Sequence, residues 1–495
     1  MTAGQSQDII DKIFSYAAFD ADAKAALVAR YNRAPVLAAT KAGIGQQCTP
    51  VAQTGTIINS IPTQGIVINQ AGTYSLGQNV IWAAPAAGCA AITIACDNVT
   101  LDLGGNTLAA AVPDNSQQVV GILVQSSTGA AVDSVTIGNG TLLDMCFYGI
   151  QAENVTGLTI TNIIVSGMNF SNSTISNVCP AGIHIDTATG VEIHTCIIGG
   201  MNVTSASSAG IQILNTTGGW VTDCRVGPLT NNDGSAQGYS YITSRQIITT
   251  NCSADGLTTH YQGGTDTIGH TSIGFVPMLC IELSFESCSA SNITGCCDDA
   301  HGMSVFIDAL VEVKNFTATK ITDGVASTKT GAKATGLEVY GYAIYIENCT
   351  VSDITAIVPQ DLQAAGFSAW GDTISFTGCS ATNVVVTDAN GNPDTNFGNG
   401  VGFGWAPDPR WYFCHIGASN VQYQGCTATN CQVGFDSWYH INSTWGDISY
   451  PGCGTGILKN PGGTRTLTAN ACSECNPPIS VTLQDIASGN SFPPG

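Results

Sequence analysis

Histidine is scarce in this chain, seven in 495 residues. One of them closes a dense run, Cys296-Cys297-Asp298-Asp299-Ala300-His301-Gly302. An imidazole beside a carboxylate can give or take a proton near neutral pH. Neighbouring carboxylates can be held in different protonation states, as hydrolytic chemistry requires. Asp255 precedes Gly256 as His301 precedes Gly302, and Glu338 follows Gly336 by two. His260 ends the Gly256 segment, and His270 lies in the loop YQGGTDTIGHTSIGF. The candidate catalytic set is Asp255, His260, Asp299, His301 and Glu338, with His270 as a candidate substrate contact. The ordinary alternatives are an Asx turn for Asp298-Asp299 and a surface pair without a role for His184 and Asp186.

These residues are tied together by internal repetition. A pentad of Gly, apolar, any, apolar or small, any recurs as GILVQ at 121, GIQAE at 149, GIHID at 182, GIQIL at 210 and GLTTH at 256. It continues as GMSVF at 302, GLEVY at 336, GFSAW at 366, a looser GVGFGW at 400 and GFDSW at 434. A second element, apolar-x-apolar with two polar residues, ends at Cys196, Cys224, Cys252, Cys288, Cys349, Cys379 and Cys426, with Phe316 taking the place once. Period-two runs between Gly, Asn, Ser and Thr turns are strands, with no helical segment between them. Strands recurring about every 30 residues stack as coils of a parallel β-solenoid, about ten or eleven coils spaced ~4.8 Å. The expected fold is all-β, a single right-handed parallel β-helix over 46–450. A short helical cap (1–45) precedes it and a C-terminal cap (451–495) follows.

Counting from the pentad glycine, positions +1 and +3 are apolar and face in, so +2 and +4 face out. The +4 column then carries Tyr340, Trp370 and Trp438, and the +2 column ends in Asp436. Aromatics in a row read either as a ring-stacking groove or as side chains that long inter-coil loops fold over. The aromatic segment 397–450 adds Arg410 as a wall residue. Candidate substrate-binding residues are therefore His270, Tyr340, Trp370, Arg410, Asp436 and Trp438. In register, Asp255 and His301 are expected to stack on successive coils. The cysteines read as an inward packing column, and Cys453, Cys472 and Cys475 are the disulfide candidates in an oxidising compartment.

Composition narrows the chemistry. Lys plus Arg is 14 and Asp plus Glu is 35, a formal charge of −21. Nucleic acid is excluded, because phosphate binding needs concentrated basic side chains. No apolar run reaches transmembrane length. The segment at the start has no secretory pattern, so the expectation is cytoplasmic, or secreted if the chain is trimmed. No zinc-type spacing is present and no cofactor is expected, with calcium at Asp298 and Asp299 as the one candidate. A homo-oligomer is an open expectation.

The stretch AITIACDNVTLDLGGNTL, with the Gly-Ile-x-Ile and Val-x-Ile-x-x-Cys elements, resembles right-handed parallel β-helix proteins of the pectate-lyase-like group over roughly residues 60–450. The resemblance implies the fold and a range of functions: polysaccharide lyases, glycoside hydrolases, uronate epimerases and phage tailspikes. Fold alone does not choose among them. DDAHG is similar to motifs of polygalacturonase-like hydrolases. There the His-Gly lies on a later coil, and the Arg-x-Lys motif of that group is missing here, so no residue role carries over. Polyuronate lyases of the group use Lys or Arg at the scissile bond, and neither is found in the two outward columns. The leading reading is an enzyme acting on a neutral glycan or polyhydroxylated ring. In it Asp299 or Glu338 is acid or base, His301 is oriented by Asp255, and Trp370 and Trp438 stack the substrate. The alternatives are an intracellular cyclase or isomerase of a small apolar metabolite, and a non-enzymatic spike, coat or adhesion rod.

Overall fold

The computed structural model describes residues 49–51 and 55–468, apart from 85–88, 112–114, 116, 172–178, 261–269, 297–298, 325–332, 358–362, 389, 394–399, 405–417, 437–439, 442, 447, 451–452, 454 and 459–464. The helices expected before residue 46 lie outside these. The described residues are all-β, short strands wound as a parallel β-solenoid of about ten turns, with no helix among them. By their contacts they form two compact units, one up to residue 264 and one from 265.

In the first unit the pentads stack in one parallel sheet. Strand Val120–Val124 pairs with Tyr148–Ser166, that with Ala181–His194, then Ser208–Leu214, then Ala236–Ile242. In the second unit a pentad wall runs through Thr271–Met278, Asp299–Lys314, Lys333–Glu347, Gln363–Thr377 and Gly400–Gly404. The glycine column has a steric cause. A Cβ at Gly302 would lie 2.4 Å from the carbonyl oxygen of Gly336, and one at Gly336 would lie 2.8 Å from that of Gly366 and 2.1 Å from Val351. Only a residue without a side chain lets the neighbouring coil approach that closely. The following +1 and +3 residues, such as Ile183 and Ile185 or Met303 and Val305, are fully buried, as the alternation requires.

The register corrects the pentad count. Gly256 is not in the glycine column. Its strand Leu257–His260 continues Met201–Thr204 and Leu229–Asn232, on another wall. The column position there belongs to Gly238, since Ile211 pairs with Tyr239 and Gln212 with Ser240. In the second unit Gly274 holds it, and Gly402 rather than Gly400 follows Gly366. Gly256 has φ +69°, a turn glycine, whereas Gly302 and Gly336 do not lie in the left-handed region. The letters match while the backbone does not.

The cysteine column is inward packing. Cys196, Cys224 and Cys252 stack in the first unit, and Cys288, Phe316, Cys349, Cys379 and Cys426 in the second, all buried. Each follows a corner residue in the left-handed region, among them Asp223, Asn251, Asn315 and Asn348, a conformation Asn and Asp tolerate best. Cys453 is buried, its thiol donating to the Ala428 carbonyl at 3.5 Å, and Cys472 and Cys475 lie outside the described residues.

Candidate active site

The second unit gathers one cluster on the outward side of the pentad wall. Strand Asp299–Lys314 supplies Asp299, His301, Ser304 and Phe306 at positions −3, −1, +2 and +4 from Gly302. Strand Lys333–Glu347 supplies Lys333, Thr335, Glu338 and Tyr340 at the same offsets, so the pairs Asp299–Lys333, His301–Thr335, Ser304–Glu338 and Phe306–Tyr340 are register partners. The next strand adds Ser368 and Trp370. This is why residues 30 or more apart in sequence meet.

His301 lies between two carboxylates. Its Nε2 is 3.8 Å from Asp299 Oδ2 and its Nδ1 is 3.6 Å from Glu338 Oε2. The side chain is 4% exposed, and those of Asp299 and Glu338 are each 14% exposed. Lys333, equally buried, forms an ion pair and hydrogen bond with Glu338 Oε1. Ser304 Oγ donates to Glu338 Oε2 at 3.5 Å. An ammonium and a hydroxyl beside a covered carboxylate offset part of the cost of burying its charge. Among the described residues, His301 Nδ1 and the buried hydroxyl of its register partner Thr335 find no hydrogen-bond partner. Such atoms mark a place where a ligand or water completes the bonding.

An aromatic series follows at +4. Phe306 and Tyr340 meet edge to face at 5.4 Å, Tyr340 and Trp370 are tilted at 5.9 Å, and the Lys333 ammonium lies 5.6 Å from the Trp370 ring centroid. Tyr340 and Trp370 are more than nine-tenths buried. They are packed on one another rather than laid open, which corrects the expectation of an exposed stacking row. His270 is buried one residue before Thr271, the register partner of Asp299.

Other expected residues fall elsewhere. Asp255 and His260 are exposed on the first unit, off the pentad wall. The register neighbours of His301 are Ile273 and Thr335, so the stacking of Asp255 on His301 does not occur. The cause is the misplaced Gly256 pentad. Glu338 occupies the place beside the imidazole that Asp255 was expected to fill. Asp436 is half-buried on strand Val433–Asp436, further along the wall. Arg410, Trp438 and Asp298 lie outside the described residues, and with Asp298 the calcium proposal. Among the described residues no group of three or more metal-binding side chains is found.

Sequence reasoning missed Lys333. It sits three residues before Gly336, as Asp299 sits three before Gly302. Counting backwards from the glycine as well as forwards would have found it. The outward face does carry a lysine, although Glu338 neutralises it.

No protein-family model matches the chain, and no curated protein matches it by sequence. Solved structures with a similar course of chain include the A-module of a mannuronan C-5 epimerase of Azotobacter vinelandii. It is 12% identical over 82% of this chain and 91% of that one, with a TM-score of 0.41. The catalytic domain of an α-1,3-glucanase is 12% identical over 85% and 68%, at 0.37. The tailspike of E. coli bacteriophage HK620 is 10% identical over 81% and 69%, at 0.45. The chain has the parallel β-helix fold. At these values the likenesses assign neither activity nor residue roles.

Proposed function

We propose that the chain is an enzyme acting by acid–base catalysis on a neutral polyhydroxylated ring, a sugar unit or short glycan, with His301 at the centre. The observation that carries this is the buried His301 between Asp299 and Glu338, with Lys333 closing the charge on Glu338. Glu338, 3.6 Å from Nδ1, steadies an imidazolium by its charge, leaving Nε2 to take a proton. A gap of 3.8 Å between Nε2 and Asp299 is too long for a direct hydrogen bond. A hydroxyl or water off that line reaches both at hydrogen-bond distance. Nε2 then removes its proton while Asp299 orients it or supplies a proton to the departing oxygen. With Lys333 paired to Glu338, the described residues of the cluster offer no second cation to a polyuronate. The burial of Tyr340 and Trp370 favours a short, enclosed substrate over a long polymer lying in a trench.

Product analysis after incubation with neutral and uronate oligosaccharides tests this. Turnover of a neutral substrate, lost by at least a hundredfold in both His301→Ala and Asp299→Asn, is expected. Full activity in both variants, or turnover of uronates alone, removes the proposal. The second reading, an isomerase or cyclase of a small apolar metabolite, draws on the same covered aromatic series. It wins if an apolar ring compound is converted and every sugar is left unchanged.

A further inference from the structure

The first unit carries a second outward constellation at the same pentad offsets, built from different chemistry. His184 and Gln212 are register partners at +2, and both are buried although their side of the sheet faces outward. His184 Nδ1 bonds Gln212 Oε1 at 2.8 Å. An amide oxygen can only accept, so Nδ1 carries the proton and Nε2 keeps its lone pair. Burial also lowers the proton affinity of the ring, which stays neutral at pH 7. Among the described residues Nε2 makes no hydrogen bond. Tyr148 stacks on the imidazole at 4.5 Å with an interplanar angle of 18°, and its buried hydroxyl has no hydrogen-bond partner among the described residues.

Leaving a phenol hydroxyl buried and unpaired costs about 1–3 kcal/mol, and phenylalanine would fill the same space without that cost. The surroundings say what could pair with it. Phe147 lies 4.3 Å from the Tyr148 ring and 5.4 Å from Phe170, with Ala181 and Ala209 in the same buried cluster. Glu153 accepts from Gln125 at 2.6 Å and from Gln151 at 2.7 Å, and Asp186 accepts from Asn215 at 2.8 Å. Both carboxylates act electrostatically on Tyr148, so an anion is repelled. Their own bonding is met by neutral amides. An imidazole acceptor and a phenol donor beside apolar rings match a hydroxyl group on a ring with one apolar side.

We infer that Tyr148 and His184 form a second binding site, for a neutral hydroxylated ring of sugar or cyclitol type, separate from the His301 site. The Tyr148 hydroxyl donates to one ligand oxygen and His184 Nε2 accepts from a ligand hydroxyl. No bond is made or broken, so this is a binding site.

Isothermal titration of D-glucose, myo-inositol and D-glucuronate into the full chain carrying His301→Ala tests the inference apart from the function proposed above. Saturable binding of glucose or inositol is expected, with no binding of glucuronate. Tyr148→Phe is expected to weaken it about tenfold, the loss of one hydrogen bond, without lowering the unfolding temperature. His184→Gln, checked for native circular dichroism, is expected to weaken it similarly. The inference is overturned if neither neutral ligand binds, if glucuronate alone binds, or if binding is unchanged in Tyr148→Phe. A crystal structure with only water at the Tyr148 hydroxyl after soaking in glucose overturns it too.

Discussion

Replacing Lys333 by methionine probes the charge arrangement at its root. Lys333 and Glu338 are 4% and 14% exposed, so the pair is shielded from salt and bulk water. Removing one partner of such a pair costs about 3–5 kcal/mol, because the other charge is left uncompensated. Glu338 has an escape, since it can take up a proton and become neutral. The expected net loss is therefore at the lower end, about 3 kcal/mol. Replacing both residues, Lys333→Met with Glu338→Gln, leaves no stranded charge and is expected to recover about 2 kcal/mol. Repeat folds open locally, so one global unfolding energy is a poor reporter. Native-state hydrogen exchange at the amides of 333–340 reads the local opening energy instead. Activity separates the roles further. In Lys333→Met the protonated Glu338 no longer stabilises an imidazolium, and kcat falls with KM little changed. The reasoning fails if Lys333→Met leaves local exchange within 0.5 kcal/mol of the parent (about the spread of a neutral surface change), or if the double variant is no better than the single one.

Further outcomes follow from other parts of the fold. Gly336→Ala places a Cβ 2.1 Å from Val351 and 2.8 Å from the Gly366 carbonyl, and is expected to cost about 3 kcal/mol or prevent folding. Gly274→Ala, whose Cβ falls 2.4 Å from the Gly302 carbonyl, should behave alike, and Gly105→Ala, with nothing within 4 Å but φ +76°, should cost only about 1 kcal/mol. Thermal unfolding compares the three. Cys252 is buried in its column, so a thiol reagent should modify it only on unfolding, and Cys252→Ala should cost about 1–2 kcal/mol for the cavity. Asp308 is fully buried, accepts from the backbone N–H groups of Cys280 and Phe306, and is pushed well above the usual carboxylate range by burial. Its folded form holds the proton more tightly than the unfolded chain. Its contribution is thus fully present below the ordinary carboxylate pKa of about 3.9 and lost as the pH rises through the folded value. Asp308→Asn should flatten that part of the stability–pH profile, and an unchanged slope speaks against it.

The fold was legible because a solenoid writes each coil into the sequence. Gly302, Gly336 and Gly366 recur for a steric reason, and the cysteine column recurs because one inward corner is repeated. Alternation put Glu338 on the outward side, while Asp299 and His301 were picked from their adjacency in one run of letters; in the structure the three lie together. What the letters could not supply was register. Gly256 matches the pentad by type, but its φ of +69° puts it at a turn on another wall, and it took Asp255 and His260 with it. Backbone conformation at a glycine is set by what packs around it, so one motif can occupy two geometries. Lys333 pairs with Glu338 five residues on along its own strand, and its place in the cluster follows from the pairing of that strand with the one that carries Asp299. Burial was likewise decided by the tertiary structure. Outward-facing Tyr340, Trp370, His184 and Gln212 are covered, since exposure depends on what lies over a strand and not on the direction of its side chains.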